Sequence, residues 1–148
     1  MNVILQSVYA GNVNYYAAIL KSENVIVDIN EHFLKQSYRN RCVIAGANGP
    51  LNLIVPVKRK TGRVKLKDVE IDYSENWQKI HWKSIESAYR TSPYFEFYED
   101  RFKALYFSKE FKLLMNWNLA INNAILTSLK HEPEIRISEK YISETDGY

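Results

Sequence analysis

"RCVIAGANGPLNLIVPV", Arg41 to Val57, sets two apolar runs on either side of a turn. Arg41 to Ala45 and Leu51 to Val57 are both extended, apolar segments. The Gly46-Ala47-Asn48-Gly49-Pro50 stretch between them can reverse the chain, because Asn48-Gly49 supplies the positive φ that a tight reversal demands. A β-hairpin is the expectation. Upstream, Val3 to Gln6 reads as a short strand, Tyr15, Tyr16, Ile19 and Leu20 form a brief helical stripe, and Val25 to Ile29 is rich in β-branched residues. That order is strand, helix, strand. Downstream, KRKTGR (Lys58 to Arg63) is an exposed basic loop around Gly62, and Val69 to Ile71 reads as one more short strand.

Beyond Asp72 the apolar period becomes helical. Ser74 can cap a helix that carries Glu75 in its first turn and runs to about Arg90. Its apolar face holds Trp77, Ile80, His81, Ser84, Ile85, Ala88 and Tyr89, opposite Lys79, Lys83, Glu86 and Arg90. Ser92-Pro93 ends it and opens a second helix, with Tyr94, Phe97, Tyr98, Phe102 and Leu105 on one aromatic face. A third is expected from about Lys109 to Lys130, striped by Phe111, Leu114, Asn118, Ile121 and Ile125, and the polar tail from Glu132 is expected to fray. The class is therefore α/β: a small mixed sheet with a strand-helix-strand opening and a helical C-terminal layer, in one domain over residues 1–148.

Length and composition fit that reading, since 148 residues with 46% hydrophobic content can bury a core without disulfides or a metal. Cys42 is alone and sits in an apolar run, which marks a small buried hydrophobe. A net charge of +3, spread along the chain, argues for neither nucleic acid nor membrane as a partner. Single-stranded nucleic acid, met through KRKTGR and the aromatics, is the least favoured ligand. The opening MNVILQSVYA lacks a positively charged leader, and no apolar run approaches the ~18 residues of a membrane span, so a cytoplasmic location is expected.

Among motifs of reaction chemistry, the Walker loop, GxGxxG, HExxH, paired CxxC and GxSxG are all absent. What remains is a cationic cluster. If His32 to Arg41 were extended, Lys35, Ser37, Arg39 and Arg41 would share one side, with Gln36, Tyr38 and Asn40 on the other. Forked guanidinium groups and a mobile ammonium suit phosphate or carboxylate, although the same charges could simply guard a strand edge. His81 is either a satisfied core group or a neutral imidazole able to accept a proton. Asp68, Glu70 and Asp72 would share one side of a strand; meeting them with Lys65, Lys67 or the 35–41 cations is the simple reading, and a Mg²⁺ site including Asp72 is the sharper one.

Three blocks, KQSYRNRCVIAGANG (Lys35 to Gly49), LIVPVK (Leu53 to Lys58) and KDVEIDYSENWQKIHWKSIESAYRTSPYFEFY (Lys67 to Tyr98), resemble the WbqC-like family of bacterial proteins. The resemblance implies a role in surface polysaccharide, with suspected transfer of glycine or a similar group to a sugar. It carries over as motif positions Lys35, Ser37, Arg39, Asn40, Arg41, the Gly46 to Gly49 turn, Pro56, Asp72, Trp77, His81, Tyr89, Pro93 and Phe95. In place of the family's Tyr-x-Pro-Pro character after the first strand, this chain reads Tyr9-Ala10-Gly11-Asn12-Val13-Asn14-Tyr15-Tyr16.

Together the residues and the resemblance give one expectation: a transferase that acylates a nucleotide-linked amino sugar, drawing on ATP or an aminoacyl donor. Lys35, Arg39 and Arg41 would anchor phosphate or carboxylate, helped by Ser37, Asn48, Lys58, Trp77 and Tyr89. His81 would take the amine proton, and Asn40 or Asn48 would orient the acyl oxygen. The alternatives are a non-catalytic glycan- or partner-binding module using Tyr94, Phe95, Phe97 and Tyr98, and an adenylate-forming nucleotidyltransferase, whose HxGH signature is absent.

Overall fold

Val3 and Leu5 alternate with more exposed neighbours along Asn2–Gln6, so this strand, β1, has one face to bury. The short helix α1 (Val13–Leu20) follows, its N-terminus capped by the Asn12 side chain, which accepts from the Tyr15 N–H at 3.0 Å. It returns the chain to β2 (Asn24–Asp28), which pairs with β1 in parallel, Val3 beside Val25 and Leu5 beside Val27. Tyr16 and Ile19 of α1, Val25 of β2 and Leu126 from far downstream form a small core on this face. The computed structural model describes residues 1–143, and the strand-helix-strand opening stands in it as the sequence indicates.

The hairpin follows as β3 (Arg41–Gly46) and β4 (Gly49–Ile54), antiparallel, with Arg41 opposite Ile54 and Cys42 opposite Leu53. Its turn is tighter than the sequence suggests: Gly46 and Gly49 already pair, leaving Ala47 and Asn48 at the tip, and the positive φ of 116° belongs to Gly49. Parallel and antiparallel pairings occupy separate sheets: β1 and β2 belong to one, and β3 and β4 form the other. A 3₁₀ turn (Leu66–Asp68) replaces the start of the acidic strand, and the remainder of that segment forms isolated bridges, Ile71 with Val57 and Glu70 with Leu113.

Three helices complete the fold: α2 (Trp77–Tyr89), α3 (Phe95–Phe107) and α4 (Leu114–Ser128). The buried faces of the first two differ in phase from the sequence projection. In α2 the inward residues are Trp77, Gln78, His81 and Trp82 while Ile80 faces out, because the helix packs against both the hairpin and α3. In α3 the inward rings are Phe95, Phe102 and Tyr106, whereas Tyr94 and Phe97 are 77% and 79% exposed. Tyr94 itself is left-handed at φ 66°, so the helix starts after it and not at Pro93. Residues 109–112 form no helix and Leu113 is extended, the segment being held by the Ile71 N–H bond to the Lys112 carbonyl at 2.9 Å, and α4 begins only at Leu114.

α4 joins the two cores. Leu114, Trp117 and Ile121 enter the larger one with Tyr9, Cys42, Leu53, Val55 and Trp82, and Leu126 enters the smaller. Between them Asn118 and Asn122 reach the loop after β1, donating to Ser7 Oγ and the Val8 carbonyl at 3.1 and 2.8 Å. The tail does not simply fray: Ile135–Ile137 forms β5, parallel to β2, and Ser138 then donates to Asp28 Oδ1 at 2.7 Å while Asn30 donates to the Ser138 carbonyl at 2.8 Å. Residues 144–148 lie outside the described residues, and among those described no helix is long and apolar enough to cross a membrane.

Candidate functional site

Residues 32–40 form no strand. The segment is folded by backbone bonds across the loop that follows the hairpin, Phe33 N–H to the Val64 carbonyl at 2.8 Å and Leu66 N–H to the Glu31 carbonyl at 2.9 Å, with a bridge between His32 and Lys65. Gln36 takes a positive φ of 56°, which breaks period-two alternation outright. Lys35, Ser37, Arg39 and Arg41 therefore do not line one side of a strand. Arg39 turns inward and forms a forked pair with Glu31, while Ser37 Oγ donates to the Leu34 carbonyl at 2.6 Å within its own turn.

The same folding brings KRKTGR back over the start of the hairpin. A cavity of about 540 Å³ opens there, lined by Lys35, Asn40, Arg41, Lys58, Arg59, Lys60 and Arg63 over a floor of Phe33, Ile54, Val57 and Val69. No carboxylate or imidazole is among its lining residues. Lys58 and Lys60 meet Glu70 from outside at 3.8 and 3.4 Å, and Lys112 joins it at 3.5 Å. Those lysines, Lys60 foremost through its hydrogen bond, hold the Glu70 carboxyl below the usual carboxylate range. Lys35, Arg41, Arg59 and Arg63 have no carboxylate partner among the described residues.

Two polar atoms in this cleft are buried without a partner among the described residues, Arg41 Nε and Asn40 Oδ1. Asn40 is only 7% exposed and firmly held: its Nδ2 donates to the Val55 carbonyl at 3.0 Å, and its own carbonyl accepts from Val55 N–H at 2.8 Å. Arg41 lies over the ring of Tyr38, its guanidinium carbon 5.2 Å from the ring centre. A buried polar atom left open costs free energy unless a ligand or water completes it, so two residues that line the cationic cleft, Arg41 and Asn40, each keep one buried atom unfilled among the described residues.

His81 lies elsewhere. It is 4% exposed and does not line the cleft. Its Nε2 is 3.1 Å from the Ile54 carbonyl, which can only accept, so that nitrogen carries the proton. Burial lowers its pKa from 6.5 to about 4, and the ring is neutral at pH 7. Nδ1 must then accept from Tyr9 OH at 3.0 Å, and Tyr9 in turn accepts from Tyr106 OH at 2.6 Å. Burial also raises the Tyr9 and Tyr106 phenols above their ordinary range. The imidazole thereby ties α2 to Ile54, the residue paired with Arg41, and acts on the cleft by holding its wall.

The remaining expected residues are dispersed. Trp77 is buried edge-on to His81 and Trp117, with ring centres 5.1 Å away in each case. Tyr89 OH accepts from Ala45 N–H at 3.2 Å, beside an apolar cavity of about 280 Å³ that Cys42 also lines. Cys42 is buried, and its thiol is pushed up to about 12 by desolvation. Asn48 sits at the hairpin tip, in a separate hollow of about 400 Å³ with Lys83, Ser84 and Ser87. Asp72 caps Ser74, Oδ1 accepting from its N–H at 2.8 Å, and those bonds lower the carboxyl's pKa. Among the described residues no group of three or more His, Cys, Asp or Glu is placed to hold a metal ion, and the acidic trio is dispersed.

Lys35, Asn40, Arg41 and Lys58 are thus brought together, whereas Ser37, Arg39, Asn48, Trp77, His81 and Tyr89 are not among the lining residues. Sequence reasoning left Arg59, Lys60 and Arg63 out of the site. The signal was the basic run itself, but its approach to Arg41 depends on backbone pairing between residues distant in the chain.

Comparison with known proteins finds one weak relative, the uncharacterized protein Rv1507c of Mycobacterium tuberculosis, 29% identical over 128 residues. The match takes in 85% of this chain but 54% of that protein, so the chain spans about half the length of the curated relative it matches. No solved structure matches. The profile of the WbqC-like protein family matches residues 6–147, nearly the whole sequence, and the chain belongs to that family.

Proposed function

We propose that the protein binds a nucleotide-linked amino sugar through its diphosphate in the cationic cleft, and that it serves surface-polysaccharide assembly as a transferase of glycine or a similar acyl group. The observation that carries the binding half is the convergence of Lys35, Arg41, Arg59 and Arg63, none with a carboxylate partner among the described residues, around the unfilled Arg41 Nε. A diphosphate offers several acceptor oxygens in a small volume, which suits a forked guanidinium flanked by mobile cations. Asn40 Oδ1 is an open acceptor for an N–H or O–H of the sugar. For the transfer itself, such cations would stabilise charge building on a phosphate leaving group, as an acyl phosphate or adenylate donor made from ATP would have. The cytoplasm, where nucleotide-linked sugars and ATP are both supplied, is the compartment this reading requires.

The exposed pair Tyr94 and Phe97 favours a second reading, a non-catalytic module that holds a glycan or a partner enzyme on α3. One experiment separates the two. Purified protein is incubated with ATP, glycine and UDP- or dTDP-linked amino sugars, and products are read by mass. A mass gain of one glycyl group, lost in Arg41→Gln, supports the transferase. Nucleotide-sugar binding without product keeps the cleft as a binding site and removes the transfer step, whereas absence of both removes the cleft and assigns the protein to the module reading.

A further inference from the structure

A second hollow, of about 260 Å³, adjoins the cationic cleft, and the wall between them is the stacked pair Tyr38 and Arg41. Tyr38 lines the hollow, whereas Arg41, whose guanidinium lies over that ring at 5.2 Å, lines the cleft. The hollow is further lined by Val8, Ala10, Gly11 and Asn12 in the segment before α1, by Tyr15 in its first turn, and by Cys42 and Val43 on β3, Val43 lying two residues beyond Arg41. Residues two apart on a strand share a face, so Val43 and Arg41 project to the same side of the hairpin.

This pocket is built and held. The Tyr9 N–H bond to the Tyr38 carbonyl at 2.9 Å ties its two walls together. Tyr15 packs so closely on Gly11 that an added Cβ would come within 2.5 Å of its ring, and Tyr15 OH donates to the Gln6 carbonyl at 3.0 Å. Asn12 spends its Oδ1 on the Tyr15 N–H and keeps its amide NH₂ without a partner among the described residues. Two rings, an aliphatic edge and one free amide donor match a flat heteroaromatic ring with carbonyl oxygens on its rim. They do not match a further phosphate, for which the hollow offers no lining cation.

We propose that this hollow is the nucleoside subsite for the ligand whose diphosphate occupies the cleft, with Arg41 bridging the two: its stacked face fixes Tyr38, and its guanidinium meets phosphate. The inference rests on the cleft reading and goes beyond it by placing the base on Tyr38 and Tyr15. It also gives the segment Tyr9 to Tyr16, in which this chain departs from the pattern the sequence resembles, a part in choosing the nucleoside.

The test is calorimetric titration of the full chain with inorganic pyrophosphate and with UDP, repeated on Val43→Trp, which would fill the hollow from an exposed strand position. UDP is expected to bind the native chain at least tenfold more tightly than pyrophosphate. In Val43→Trp that advantage is expected to vanish while pyrophosphate affinity stays within about twofold. Pyrophosphate bound with no preference for UDP, or a preference that survives a folded Val43→Trp, overturns the nucleoside subsite and leaves the cleft standing. Failure of both probes to bind overturns the cleft reading and the subsite with it. A thermal melt by circular dichroism establishes that the variant is folded; should it not be, the smaller Val43→Phe takes its place under the same two outcomes.

Discussion

Arg39 and Glu31 meet through two parallel hydrogen bonds, Nε to Oε1 at 2.8 Å and Nη2 to Oε2 at 2.7 Å, with both side chains largely removed from water. The pair fixes the turn that carries Lys35 and Asn40, so Arg39 shapes the cleft without lining it. Removing one partner strands the other charge in a poorly solvated place. Arg39→Ala is therefore expected to lose about 3–5 kcal/mol of stability, whereas the paired replacement of Arg39 by Met and Glu31 by Leu should restore most of it. Urea unfolding of the three chains checks both statements. A loss below about 1 kcal/mol for the single variant would contradict the structural role.

Arg41 should behave in the opposite way. Its guanidinium touches Tyr38 and faces the cleft, with no ion pair among the described residues to lose. Arg41→Gln is expected to leave the unfolding midpoint nearly unchanged and to weaken pyrophosphate or UDP binding by about 1.5–3 kcal/mol, roughly tenfold to a hundredfold. Titration calorimetry with each ligand, beside a thermal melt, reads the two effects separately.

Glu70 supplies a gain-of-function counterpart. Its carboxylate draws Lys58, Lys60 and Lys112 toward itself from outside the cleft. Glu70→Gln removes that competitor, so pyrophosphate should bind several-fold more tightly, and the difference from the native chain should shrink as salt screens the added field. Titrations at low and high ionic strength measure it. Unchanged or weaker binding at low salt would mean that the two lysines do not face the ligand.

How far the sequence carried these arguments differs by element. The hairpin, the opening strand-helix-strand and the buried stripe of α4 were legible because each follows from local period and turn chemistry. The 32–40 turn was not, since its shape comes from the Glu31–Arg39 pair and from backbone bonds to Val64 and Val55. β5 was missed because a three-residue strand has no period to read, and Ile135 finds its place only beside Val25. Within the site, the local order showed that Lys35, Asn40, Arg41 and Lys58 carry suitable chemistry. That Arg39 leaves the group and Arg59 and Arg63 join it depends on tertiary folding, which no spacing rule encodes.

The tail can be tested by one atom. Ser138 Oγ donates to Asp28 Oδ1 and accepts from the Ile29 and Asn30 groups at 3.1 Å, and these bonds close the end of the parallel sheet. Ser138→Ala leaves several buried polar groups short of a partner and should lower stability by about 1–3 kcal/mol. Amide hydrogen exchange should show the loss concentrated in β2 and β5, with the hairpin unaffected.

His81 gives a pH signature. The unfolded imidazole titrates near its ordinary 6.5 and the folded one near about 4, because burial opposes the charged form. Above pH 6.5 neither state is protonated and the full stability is present. As the pH falls from 6.5 toward 4 the unfolded chain takes up a proton that the folded chain refuses, so stability is lost through that window and levels off beneath it. At pH 4.5 the loss due to this group alone is about 2–3 kcal/mol. His81→Phe keeps a ring in the site but cannot titrate. It should be less stable than the native chain at pH 7.5, since Tyr9 OH and the Ile54 carbonyl lose their partner, yet decline less between pH 7.5 and 4.5. Urea midpoints at the two pH values give the comparison, with the carboxylates common to both chains cancelling in the difference. Equal declines would show that the imidazole accepts a proton in the folded state, and would return it to consideration as a base.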